Sequence, residues 1–92
     1  MKIHLTKLAK EDLQEIEHYI RQDNTVAAVH TVLRVMESIE YLVAYPTMGR
    51  TGRVPKTREL MVSSTPFIVI YQIREQVIMV LRILHAARKW PV

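Results

Sequence analysis

The chain has no cysteine among its 92 residues, which excludes disulfides and thiolate-held metal from its fold and chemistry. A reducing compartment fits that composition, and the cytoplasm is the expected location. Glycine occurs only twice and proline four times, too little for a low-complexity tail or a glycine-rich phosphate loop. There is no nucleophile elbow and no His-x-x-x-His or Cys-x-x-Cys spacing. His4, His18, His30 and His85 lie far apart along the chain, so neither a metal nor another cofactor is expected. No apolar run approaches the ~20 residues needed to cross a bilayer. The first residues, interrupted by His4, Lys7 and Lys10, are not expected to be a signal peptide.

What is present is a chain that is 49% hydrophobic, enough for a thin core, and expected to form one domain over residues 1–92. Charge is divided unevenly. Residues 1–45 hold five Lys or Arg against seven Asp or Glu, whereas residues 46–92 hold eight Lys or Arg against only Glu59 and Glu75. One surface built for an anionic or acidic partner is the natural reading.

Residues 2–6 alternate polar and apolar, as a half-buried strand does. Ala9, Leu13, Ile16 and Ile20 then recur at helical spacing among Glu11, Asp12, Glu15 and Glu17. This predicts an amphipathic helix over 8–22 whose acidic residues face water. Asp23, Asn24 and Thr25 supply a break and an N-cap for a second helix. Its expected buried stripe is Val29, Val32, Met36, Ile39 and Val43, and Pro46 ends it. Residues 46–57 hold both glycines and read as one long loop. Three strands follow, over 58–63, 67–73 and 77–84, joined by short hairpins. The expected fold class is α+β, with element order β-α-α-β-β-β: a helical hairpin packed on a mostly antiparallel twisted sheet.

Within that frame the closely spaced cations Arg50, Arg53, Lys56 and Arg58 would present several donors to phosphates or carboxylates. Arg82 falls inside an apolar strand with Ile78, Val80 and Leu84 on its expected face. It needs either a functional site or an ion pair, with Glu59 or Glu75 as the expected partner. His85, the only histidine of the basic half, would serve as an acid or base near neutral pH, or be structural. Strict alternation places it on the opposite face from Arg82. In the tail, Arg88 and Lys89 precede Trp90, which would either anchor the tail on the core or touch a partner.

Several segments together resemble the RelE/ParE superfamily of toxins. They are Thr57-Arg-Glu-Leu60, Thr65-Pro-Phe-Ile-Val-Ile-Tyr71 and Ile83-Leu-His-Ala-Ala-Arg-Lys-Trp-Pro91, with the Gly49-Arg50…Gly52-Arg53 loop. The opening Leu5-Thr6…Ala9…Asp12-Leu13…Ile16…Tyr19-Ile20 is similar to that superfamily's first strand and helix. The resemblance implies a type II toxin–antitoxin system and a toxin bound by an acidic, partly disordered antitoxin in a hetero-oligomer. Its ParE-like branch implies poisoning of DNA gyrase without catalysis, and His85…Arg88 is similar to an arrangement common there. Gyrase contacts would then be Arg50, Arg53, Lys56, Arg82, Arg88, Lys89 and Trp90. Its RelE-like branch implies cleavage of messenger RNA on the ribosome, for which Arg58, Arg82 and His85 would be the catalytic residues. Several nuclease branches place a Tyr near the C-terminus, where this chain has Ala86 and no tyrosine after Tyr71. A third reading, a non-toxic nucleic-acid-binding module, lacks a second set of stacking aromatics beside Phe67 and Tyr71.

Overall fold

A computed structural model describes residues 1–91. The elements run β1 Lys2–Leu5, α1 Lys7–Arg21, α2 Thr25–Ala44, β2 Arg50–Thr51, β3 Arg58–Met61, β4 Phe67–Arg74 and β5 Val77–His85. They form a small α+β domain, two helices on a five-stranded sheet of order β1-β5-β4-β3-β2. β1 lies parallel to β5, and every other pairing is antiparallel. The extra strand is β2. The loop expected over 46–57 contains it, because Arg50 and Thr51 pair with Glu59 and Arg58.

Both helices start on a side-chain cap. Thr6 Oγ1 accepts from the Ala9 amide at 3.2 Å, and Asn24 Oδ1 accepts from the Ala27 amide at 3.0 Å. Tyr45 caps the second helix, since Pro46 disfavours helical geometry in the residue before it. The β4–β5 hairpin turns on Glu75 and Gln76, both at positive φ, as a two-residue turn between right-twisted strands requires.

The phase of α2 differs from the sequence expectation. Its buried residues are Ala28, Val35, Ile39 and Leu42, while Val29 and Val43 are exposed. The period was legible but the phase was not, because apolar residues occur around most of this helix. The helix-side core joins Ala9, Val35, Ile39 and Leu42 to Val62, Val69, Tyr71, Ile78, Val80 and Ile83. Burying each large side chain stabilises the fold by about 1.5–3 kcal/mol. A smaller cluster, Ile68, Ile70 and Leu84, lies on the other face and is covered by Leu81, Ala86 and Trp90.

A register shift separates these clusters in β5. Ile70 pairs with Arg82 but the next residue, Tyr71, pairs with Val80, leaving Leu81 as the extra residue of a bulge. Val80 and Ile83 therefore both pack under the helices, which strict alternation would forbid. Arg82 consequently does not share a face with Ile78, Val80 and Leu84 as one continuous strand would require: Ile78 and Val80 belong to one core cluster and Leu84 to the other.

Candidate functional site

The bulge sits where β5 loses its parallel neighbour. β1 pairs with β5 only through Val80, so the edge of residues 81–85 needs another partner. α1 supplies it. The Thr6 amide donates to the Val80 carbonyl at 3.0 Å, and Thr6 Oγ1 donates to the Leu81 carbonyl at 3.0 Å. Asp12 Oδ2 accepts the Ile83 amide at 3.0 Å and Arg82 Nε at 2.7 Å, while Oδ1 accepts Arg82 Nη2 at 2.9 Å. The two side chains are 8% and 15% exposed. The hydrogen bond to Asp12 raises the Arg82 pKa against the opposing effect of burial, with Asp12, Glu15 and Glu11 adding negative charge nearby. Two expectations are corrected here. The partner of Arg82 is Asp12, not Glu59 or Glu75, and one of the α1 acids expected in water is buried.

The cationic loop is held by a second carboxylate. Glu59 on β3 is almost fully buried; its Oε1 accepts Arg50 Nη2 at 2.9 Å and its Oε2 accepts the Arg53 amide at 3.1 Å. Burial alone would raise the Glu59 pKa, but the Arg53 amide, the Arg50 hydrogen bond and both guanidinium charges outweigh it and hold it below the ordinary value. Arg50 and Arg53 keep 67% and 48% of their side chains exposed, so each still presents donors outward. Lys56 is exposed at positive φ on the same loop. Thr57 closes the tip: its Oγ1 donates to the Val54 carbonyl at 2.6 Å, and its carbonyl accepts the Gly52 amide at 2.8 Å.

Arg58 points elsewhere. Its Nη1 donates to the carbonyls of Thr47 and Gly49 at 3.2 and 2.8 Å, tying the end of the helical hairpin to β3. Beside it, the Tyr71 hydroxyl accepts the Gly49 amide at 2.9 Å and donates to the Pro46 carbonyl at 2.7 Å. Burial raises the Tyr71 pKa, countered in part by that amide and by Arg58. Only glycine fits at 49, because a Cβ there would lie 2.7 Å from the Tyr71 ring.

At the other end of the sheet, His85 packs edge-on to Phe67 with ring centroids 5.8 Å apart. Its Nδ1 accepts the Ala87 amide at 3.0 Å, which leaves the proton of the neutral ring on Nε2. The Arg88 amide donates to the His85 carbonyl at 2.9 Å, and this turn brings His85 and Arg88 to one cleft of about 310 Å³ with Asp12, Glu15 and Tyr19. Arg88 and Lys89 are exposed. Trp90 instead packs over the second cluster, and its buried Nε1–H has no partner among the described residues.

The expected site residues thus fall into several settings, with Arg58 on the Thr47 and Gly49 carbonyls and Trp90 on the second cluster. Arg50, Arg53 and Lys56 share a braced loop; Arg88 and Lys89 share the tail turn with His85; Arg82 is held inside by Asp12. Arg58 has partners of its own, whereas Asp12, which holds Arg82, also lines the His85 cleft. Sequence reasoning missed the cap and strand-edge role of Thr6, and that of Asp12, whose place in an acidic helix gives no sign of burial. Among the described residues no group of three or more His, Cys, Asp or Glu is placed to hold a metal ion. No helix is long and apolar enough to cross a membrane.

Residues 3–90 match the family model described as the ParE toxin of the type II toxin–antitoxin system parDE. The chain is 38% identical over 90 residues to the putative toxin Y4kP of Sinorhizobium fredii, covering 98% of this chain and 93% of that protein. It is 35% identical over 80 residues to the toxin RelE2 of Caulobacter vibrioides, covering 87% and 89%. A solved structure titled as the chromosomal ParDE TA system from P. aeruginosa superposes with a TM-score of 0.82 at 30% identity, covering 92% of this chain and 95% of that one.

Proposed function

This chain belongs to the ParE toxin family of type II toxin–antitoxin systems, with an antitoxin as its partner, and we propose that it arrests growth by binding DNA gyrase. In this reading the protein acts in the cytoplasm by occupying its target rather than by catalysis. The observation that carries it is the Glu59 brace: one buried carboxylate fixes the loop that displays Arg50 and Arg53, leaving both guanidiniums largely exposed. Fixed cations lose little freedom on docking, so they favour a specific protein contact over a loose electrostatic one. Lys56, and Arg88, Lys89 and Trp90 of the tail, complete the proposed contact set. Arg82 acts in it as a positioning residue, through α1. The antitoxin's acidic segment would pair with the same cations and so compete with the target.

A ribosome-dependent ribonuclease would instead need a proton acceptor, a proton donor and cations around one phosphate. Arg58 is tied to the Thr47 and Gly49 carbonyls and Arg82 to Asp12, so both guanidiniums are engaged internally, which counts against that chemistry. Free toxin added to purified gyrase and supercoiled DNA should stabilise cleaved DNA complexes, and R50E/R53E should weaken this about tenfold or more. Cleavage of ribosome-bound messages with gyrase unaffected would replace this reading with the nuclease one.

A further inference from the structure

Residues 86–90 leave the sheet as a short tail that is fixed at both ends. The Ala86 amide donates to the Pro66 carbonyl at 2.7 Å, and Ala86 and Trp90 both pack on the second cluster. Between these anchors the hydrogen bonds of the turn converge on one residue. The Arg88 amide donates to the His85 carbonyl at 2.9 Å, and the Ala87 amide donates to His85 Nδ1 at 3.0 Å. The ring is itself steadied by its edge contact with Phe67 of β4. Arg88 and Lys89 make no ion pair among the described residues, so the turn sets their direction.

A side chain that accepts the amide two residues further on is ordinarily Asn or Asp, in an Asx turn. Here the acceptor is an imidazole nitrogen, which differs from an amide oxygen in one respect. The neutral ring has a single acceptor nitrogen and the protonated ring has none. Protonation would therefore set Nδ1–H against the Ala87 N–H, donor against donor, and the bond is lost. The charges around the ring favour the same opening. Arg88 of the turn shares the cleft with His85 and would be repelled by an imidazolium. From α1, Asp12, Glu15 and Tyr19 line the cleft. Asp12 is already taken by Arg82 and the Ile83 amide, which leaves Glu15 as the carboxylate to draw the charged ring. β4 contributes only the uncharged Phe67, and β5 adds Ile83 and Leu84.

We propose that His85 is the positioning residue of the tail: its neutral ring locks the turn that aims Arg88 and Lys89, and protonation releases it. As pH falls through the range in which histidines charge, roughly 8 to 5, the lock is progressively lost. Below that range the two cations must be ordered on docking, which weakens their contribution to binding. The link to target binding rests on the gyrase reading above, whereas the lock itself does not.

The test begins with NMR titration of the full chain freed from its antitoxin, following the Ala87 amide and the His85 ring from pH about 8 to about 5. In wild type the amide should shift along the same curve as the ring. Its solvent exchange, corrected for the intrinsic effect of pH, should quicken about fivefold as the bond opens. H85N puts an amide oxygen where Nδ1 stands and should hold the turn closed at every pH. H85F keeps a ring against Phe67 but has no acceptor, and should show the open turn throughout. Position 85 is exposed, and circular dichroism confirms that both variants fold. An Ala87 amide indifferent to the ring's titration would overturn the proposal, and so would H85N behaving like H85F. With purified gyrase at neutral pH, H85F should need about fivefold more toxin for equal cleavage, while H85N matches wild type. Equal potency of H85F and wild type would overturn the positioning role. If wild type yields no cleaved complexes, the gyrase reading falls, and growth arrest in cells compares the same variants, with H85F again expected to be the weaker.

Discussion

Asp12 and Arg82 stand 70 positions apart in the chain and form a two-pronged ion pair at 2.7 and 2.9 Å. Through the same Asp12 oxygen that receives Arg82 Nε, the pair also takes the Ile83 amide, so one carboxylate closes a strand edge and neutralises a cation. Desolvating both charges is costly, and the geometry offsets that cost only while both partners are present.

Asp12→Ala should therefore destabilise the fold by about 3 kcal/mol, because Arg82 is left charged and nearly buried. The paired change Asp12→Leu with Arg82→Met should recover much of the loss. Urea unfolding with an unchanged m-value measures both. Amide exchange at Ile83 should quicken in each variant, since its acceptor is gone in both.

Removing the Tyr71 hydroxyl breaks two buried hydrogen bonds at once. Tyr71→Phe should cost about 1–3 kcal/mol, with the Gly49 amide the group left unmatched. Gly49→Ala should cost a similar amount by a different route, overpacking against the same ring. Thermal unfolding of the single and double variants would reveal the coupling between the two sites.

Acid should loosen the cationic loop before the rest of the fold. The Glu59 pKa is lower in the folded chain than its ordinary value of 4.5, so its contribution is complete above that value and fades as pH falls through the folded one. Glu59→Gln should remove that dependence while leaving a hydrogen-bonding group in place. The Arg53 amide resonance, followed from pH 6 to about 3, should titrate in wild type and stay fixed in the variant.

Trp90 should tolerate a change that most buried tryptophans do not. Among the described residues its buried Nε1–H has no partner, so Trp90→Phe removes an unsatisfied donor along with some apolar area and should cost less than about 1 kcal/mol. Trp90→Ala uncovers Ile68, Ile70 and Leu84 and should cost about 2 kcal/mol or more. Chemical denaturation of the two variants separates these outcomes.

The architecture was legible because its signals are local. Helical spacing, the Asn24 cap, Pro46 and the two apolar strands each act within a few residues, and together they give the order β-α-α-β-β-β. Misreadings arose where distant elements set the answer. The apolar circumference of α2 admitted more than one buried stripe, and only packing against the sheet selected Ala28, Val35, Ile39 and Leu42. Within the loop, Arg50 and Thr51 became a strand because β3 offered an open edge to pair with.

From its residues alone this chain was bound to place a cationic loop and tail on a helical hairpin and sheet, and its family likeness was already visible in their order. Which of those cations face outward was decided only in three dimensions. The Leu81 bulge and the free edge of β5 draw Arg82 to Asp12, while Glu59 takes part of Arg50 and Arg53 and leaves the remainder exposed. An arginine's sequence position gives its charge, but its availability depends on the carboxylates and carbonyls that folding brings within about 3 Å of it.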